Sequence, residues 1–119
     1  MSYDLYLWAE PNPVTAERAG EICDRLADGD ETSTAPAARN LEFAAELVTQ
    51  YPRLEDLTDL DDSPWNMSPD VTDRRVVLCM GLSRAAEAGP RILELADRHS
   101  LVCYDPSTRQ VQPHHRRDS

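Results

Sequence analysis

Ten residues in this chain have the types from which sites are usually built, and they fall into two sets. The first set is Trp8, Glu10, Ser83, Arg84 and Asp105, each just beyond a short apolar run. If those runs are parallel strands, their carboxyl ends share one rim, and open sheets bind ligands at that rim. Ser83, Arg84 and the free amides opening the helix that follows would then hold an anion. The plainer reading makes Ser83 a helix cap and Arg84 a solvated side chain. Glu10 and Asp105 would be a pair of acids, but paired-carboxylate chemistry needs two groups roughly 5–9.5 Å apart. A chain with 22 acidic residues supplies many pairs by composition alone.

The second set is Trp65 and Met67 with the nearby acids Asp59, Asp61 and Asp62. An aromatic anchor among carboxylates on a long connecting segment suits the centre of a protein-binding surface. The same tryptophan would serve equally to close a thin core.

Several chemistries are excluded outright. All twelve basic residues are arginine, so there is no lysine for a Schiff base or a phosphate loop. Gly20, Gly29, Gly81 and Gly89 are scattered and form no phosphate-cradling turn. Cys23, Cys79 and Cys103 lie far apart among apolar neighbours, where cysteine acts as a small hydrophobe. His99 falls at the end of a helical pattern, where an imidazolium complements the helix dipole. His114 and His115 are adjacent and lack further ligands, and Asp59, Asp61 and Asp62 lack the glycine and closing glutamate of a calcium loop. Ser83 has no nucleophile-elbow pattern around it. No cofactor and no metal are expected.

Charge narrows the partners. A net charge of −10 opposes contact with nucleic acid and anionic lipid. The only compact basic patch is the run from His114 to Arg117, which reads as a frayed tail. The arginine-only, alanine-rich composition fits a high-GC bacterial genome. Three cysteines, an odd count, and the lack of a leader-like segment point to a reduced cytoplasm. No apolar run reaches membrane-spanning length.

These residues need elements to hold them. At 119 residues, with 40% hydrophobic, the chain fits one domain over 1–119 with one modest core. Tyr3 to Trp8 reads as a strand covered on both faces, since aromatics and leucines alternate along it. A helix follows from Asn12-Pro13 or Thr15, burying Ala19, Ile22, Cys23 and Leu26 and turning Glu17, Glu21, Asp24 and Arg25 outward. A second helix begins near Pro36, with an apolar face of Leu41, Ala44, Ala45 and Val48 that Phe43 and Leu47 widen. Residues 53–73 read as a long acidic loop, bracketed by prolines that bar regular helix or central strand. Arg74 to Met80 is a second buried strand. A third helix, capped by Ser83, is broken or kinked at Pro90, with Glu94 and Arg98 placed to pair. Leu101 to Asp105 is a third strand, a turn follows at Asp105-Pro106, and Arg109 to Gln112 returns as an antiparallel edge. Residues 113–119 form the tail.

The expected fold is therefore α/β: a small, mostly parallel mixed sheet in the order β-α-α-β-α-β-β, with a C-terminal antiparallel hairpin. The opening Tyr3-Asp4-Leu5-Tyr6-Leu7-Trp8, the Asn12-Pro13 helix start, the Ser63-Pro64-Trp65 segment and the Leu101-Val102-Cys103-Tyr104-Asp105 strand carry a resemblance. Together they resemble a set of small acidic α/β proteins of actinobacteria that carry no assigned activity. The likeness spans roughly Tyr3 to Val111. Its motifs are structural, so it implies a single cytoplasmic α/β domain and brings no active site with it.

Function is expected to be non-enzymatic: an interaction module whose acidic surface meets a basic protein, as a toxin-neutralising immunity protein does. The alternative is a small enzyme or anion-binding domain at the parallel strand ends. An open sheet edge at the terminal hairpin would also allow a homodimer.

Overall fold

The computed structural model describes residues 2–10, 14–58 and 63–112. Its centre is the first strand, β1 (Ser2–Ala9). Leu5 and Leu7 point to one face and Trp8 to the other, and all three are at most 1% exposed. Both faces of β1 are therefore covered, as its alternating bulky pattern requires.

Around β1 the chain places α1 (Ala16–Ala27), α2 (Ala38–Gln50), a single 3-10 turn (Leu54–Asp56), β2 (Trp65–Val71), β3 (Val76–Gly81), α3 (Leu82–Arg98), β4 (Leu101–Asp105) and β5 (Gln110–Gln112). The sheet order is β2-β3-β1-β4-β5. Every pairing in it is antiparallel: Leu5 lies opposite Leu78 on β3, and Tyr6 opposite Tyr104 on β4.

This corrects the mostly parallel sheet expected from the sequence. The helical crossovers do join strands that run the same way: β1 with β2 through α1 and α2, and β3 with β4 through α3. Both β1 and β2 are antiparallel to β3, and both β3 and β4 are antiparallel to β1. Each crossover, however, spans a gap one strand wide. β3 fills the first gap and β1 the second. A run such as Val76 to Met80 is apolar on both faces in either orientation, so its composition carries no information about direction.

The second correction lies in 53–73, expected as a loop. Trp65–Val71 is a strand, and it is an edge strand, the one place where Pro69 costs no ladder hydrogen bond on a buried side. Its pairing with β3 slips between Trp65 and Met67 and again between Met67 and Asp70. Side chains from the 3-10 turn brace it. Arg53 donates to the Pro69 carbonyl at 3.1 Å, and the Ser68 hydroxyl donates to Glu55 at 2.6 Å while accepting from the Leu54 amide at 3.0 Å. The strand escapes an apolar-pattern search because only Trp65 and Pro69 in it are buried.

The helices form two layers. α2 and α3 cover one face of the sheet, packing Phe43, Leu47, Ile92 and Leu95 on Leu5, Leu7, Leu78 and Met80. α1 covers the opposite face over β1, β4 and β5, setting Ile22, Cys23 and Leu26 against Trp8, Val102, Tyr104 and Val111. Thr15 caps α1, its hydroxyl accepting from the Arg18 amide at 3.1 Å. The Asn12 cap and the tail at 113–119 lie outside the described residues.

α2 opens at Ala38 rather than at Pro36, and no side chain caps it. α3 follows β3 with no loop, so its capping position is Gly81 and Ser83 lies inside the first turn. α3 also runs through Pro90 as one helix of 17 residues. Ala88 before the proline and Ile92 after it face the same core, and that shared burial keeps the two halves in register.

Candidate functional site

Antiparallel pairing divides the first set of expected site residues between opposite ends of the sheet. Ser83, Arg84 and Asp105 follow the carboxyl ends of β3 and β4. Trp8 and Glu10 close β1, which runs the other way. The parallel rim that would have gathered all five does not exist.

Each has a local occupation. Trp8 is fully buried, and its indole N–H donates to the Glu10 carboxylate at 2.7 Å. The Glu10 carbonyl accepts from Arg39 at 3.4 Å. Ser83 is exposed, and Arg84 lies 4.0 Å from Glu87 one turn along α3. The Asp105 carboxylate accepts from the Ser107 amide at 2.9 Å and from its hydroxyl at 2.7 Å, which shapes the β4–β5 turn. Burial, followed by the charge and hydrogen bond of Asp105, pushes the Tyr3 phenol up to about 12. The cleft beside these two holds about 70 Å³, room for water only.

The second set is also separated. Trp65 is 5% exposed. Its indole N–H donates to the Tyr51 carbonyl at 3.0 Å, and its ring meets that of Tyr51 edge-on with centroids 6.1 Å apart. Met67, two residues along the same edge strand, is 45% exposed. Asp59, Asp61 and Asp62 lie outside the described residues.

The residues that the fold does bring together are different ones. A groove of about 600 Å³ runs between α1 and the β4–β5 turn, lined by Glu17, Gly20, Glu21, Asp24, Tyr104 and Arg109 with Ala16 and Pro106. Glu17, Glu21 and Asp24 are one and two turns apart, so they form a single acidic stripe along the helix. Tyr104 rises from β4 beneath them. A Cβ on Gly20 would lie 3.0 Å from the Tyr104 hydroxyl, so glycine is what lets that hydroxyl pass the helix. Tyr104 is only 5% exposed, and its hydroxyl has no hydrogen-bond partner among the described residues. Burial, with the neighbouring Cys23 next in effect, pushes its phenol up.

Arg109 stands on the opposite wall with φ of 60°, its amide held by the Asp105 carbonyl at 2.7 Å. A second concavity of about 340 Å³ continues from Ala16 and Arg109 along β5. The acidic stripe was readable in the sequence as the outward face of a helix. What the sequence did not disclose was that β4 and its turn rise to meet that face.

The thiols near the site are poor nucleophiles. Burial pushes Cys23 up to about 11, and the fully buried Cys103 is pushed up further by the same cause. Among the described residues, no group of three or more His, Cys, Asp or Glu is placed to hold a metal ion, and no helix is long and apolar enough to cross a membrane. No family model, curated protein or solved structure matches the chain.

Proposed function

We propose that this protein is a non-enzymatic interaction module that binds a basic protein partner, in the manner of an immunity protein covering a cationic surface. The observation that carries this reading is the groove beneath α1, where three carboxylates of a protein with a net charge of −10 line one concave wall. Charge of one sign around a concavity raises the local concentration of oppositely charged partners and speeds their encounter. The reading is also supported by what surrounds the groove. Cys23, in the core behind the groove, is pushed up by burial, and the Tyr104 phenol that lines it is shifted away from ready ionisation, which favours recognition over bond-making.

The test is partner capture from the source cells at low salt, followed by the association rate measured against ionic strength with the purified partner. The expected partner has a pI above about 9, and the rate falls about tenfold or more between roughly 20 and 300 mM salt. A neutral or acidic partner, or a rate indifferent to salt, overturns the reading.

A further inference from the structure

The groove carries an imbalance that its own side chains leave unresolved. Glu21 is engaged by Arg18 at 3.0 Å. Glu17 and Asp24 form no ion pair among the described residues, with Arg109 or with any other cation. Between them the Tyr104 hydroxyl is presented without a partner from a side chain that is otherwise buried. The Tyr104 ring is held by burial, so its hydroxyl is a positioned polar group opening onto the groove, and the two exposed carboxylates add negative charge around it. With Glu21 paired to Arg18, two carboxylates face one arginine, and the groove keeps an excess of one negative charge.

We propose that this groove binds the guanidinium of an arginine side chain presented by the partner. The identity of that partner as a basic protein rests on the function proposed above; the groove's preference for guanidinium does not. A guanidinium is a flat fork of five N–H donors with no acceptor. It suits a wall of carboxylates and an oxygen able to accept, and an ammonium, with three donors on a point charge, satisfies fewer of these groups at once. A carboxylate of the stripe receives the fork and the Tyr104 oxygen accepts one further N–H, while the second unpaired carboxylate, two turns away along α1, adds to the attraction. Gly20 keeps the entrance open, because a side chain there would press on the Tyr104 hydroxyl. Arg109, like-charged with the ligand, opposes entry and sets the affinity from the opposite wall.

The experiment is an NMR titration of the full chain with N-acetylarginine amide. N-acetyllysine amide and the neutral isostere N-acetylcitrulline amide serve as comparisons. The expected result is a saturable shift of the Gly20 amide and the Tyr104 ring with the arginine probe. The lysine probe should respond several-fold more weakly and the citrulline probe not at all. Glu17→Gln combined with Asp24→Asn is expected to weaken binding about tenfold or more. Tyr104→Phe keeps the buried ring and should weaken binding by about threefold, whereas Arg109→Ala should tighten it. The two carboxylates are exposed, so an unchanged dispersed spectrum confirms that their variant is folded.

The proposal is overturned by no saturable shift at Gly20 and Tyr104, by an equal response to citrulline, or by binding that the double variant leaves unchanged. Loss of binding in Arg109→Ala would show that the ligand must bring an anion as well, and that too overturns it. The two readings fail separately. If the arginine probe binds but no basic protein does, the site stands without its partner. If a basic protein binds in a salt-dependent way that the double variant does not alter, the partner stands without this site.

Discussion

At the scale of single residues, the structure speaks most clearly about Trp65. With 5% of its surface exposed and its N–H committed to the Tyr51 carbonyl, it belongs to the core beside α2 and α3. Trp65→Ala is expected to cost about 3–5 kcal/mol, measured by urea unfolding, because a large buried ring leaves a cavity that the sheet edge only partly closes. A loss well under 1 kcal/mol would return the residue to the surface role. Glu55 provides a second case. Hydrogen bonds from Arg53 and then Ser68 hold its carboxyl down at about 2. A carboxyl lowered on folding contributes stability that is complete above its unfolded value and disappears as pH falls through the folded one. In Glu55→Gln, the decline in stability between about pH 4.5 and pH 2 should therefore be shallower than in the parent chain, read from urea midpoints across that range. An identical slope would mean that the Arg53–Glu55–Ser68 cluster does not persist in solution.

Elements were legible where one face is apolar and the period is regular. α1 emerges from Ala19, Ile22, Cys23 and Leu26, and β1 from its alternating bulk. β2 was hidden, because an edge strand needs few buried side chains and Pro69 argues locally against a strand. His99 was legible only in part. It does cap the end of α3, but its ring also lies edge-on to Phe43 and bonds Glu46 at 2.9 Å, across to α2. Arg98 likewise reaches Glu46 at 2.8 Å, in place of the pairing with Glu94 that spacing suggested. These contacts fix α3 against α2 and help explain why α3 tolerates an internal proline. Pro90 is exposed and removes one helical hydrogen bond, so Pro90→Ala should raise stability by about 1–3 kcal/mol. A lower thermal midpoint in that variant would show that the packing of α3 depends on a bend at the proline.

For the whole molecule, charge is the dominant property. Twenty-two acids against twelve arginines repel one another in the compact state. Added salt screens that repulsion. The thermal midpoint should therefore rise as sodium chloride goes from about 10 to 200 mM, a distance over which the screening length shortens roughly from 30 to under 10 Å. A falling midpoint would mean that ion pairs such as Arg75 with Glu31 at 3.1 Å outweigh the repulsion. Composition by itself determined that acidity, the arginine-only cation set, the two-faced first strand and the amphipathic helices, because each is a local property of neighbouring side chains. Only the tertiary structure decided the direction of the strands and which strand fills the gap beneath each crossover. An apolar run buries equally well in either sense, and the choice depends on partners far away in the chain. The same non-local choice moved the candidate site. It separated Trp8 and Glu10 from Ser83, Arg84 and Asp105 by running β1 against its neighbours, and it raised Tyr104 beneath the carboxylates of α1.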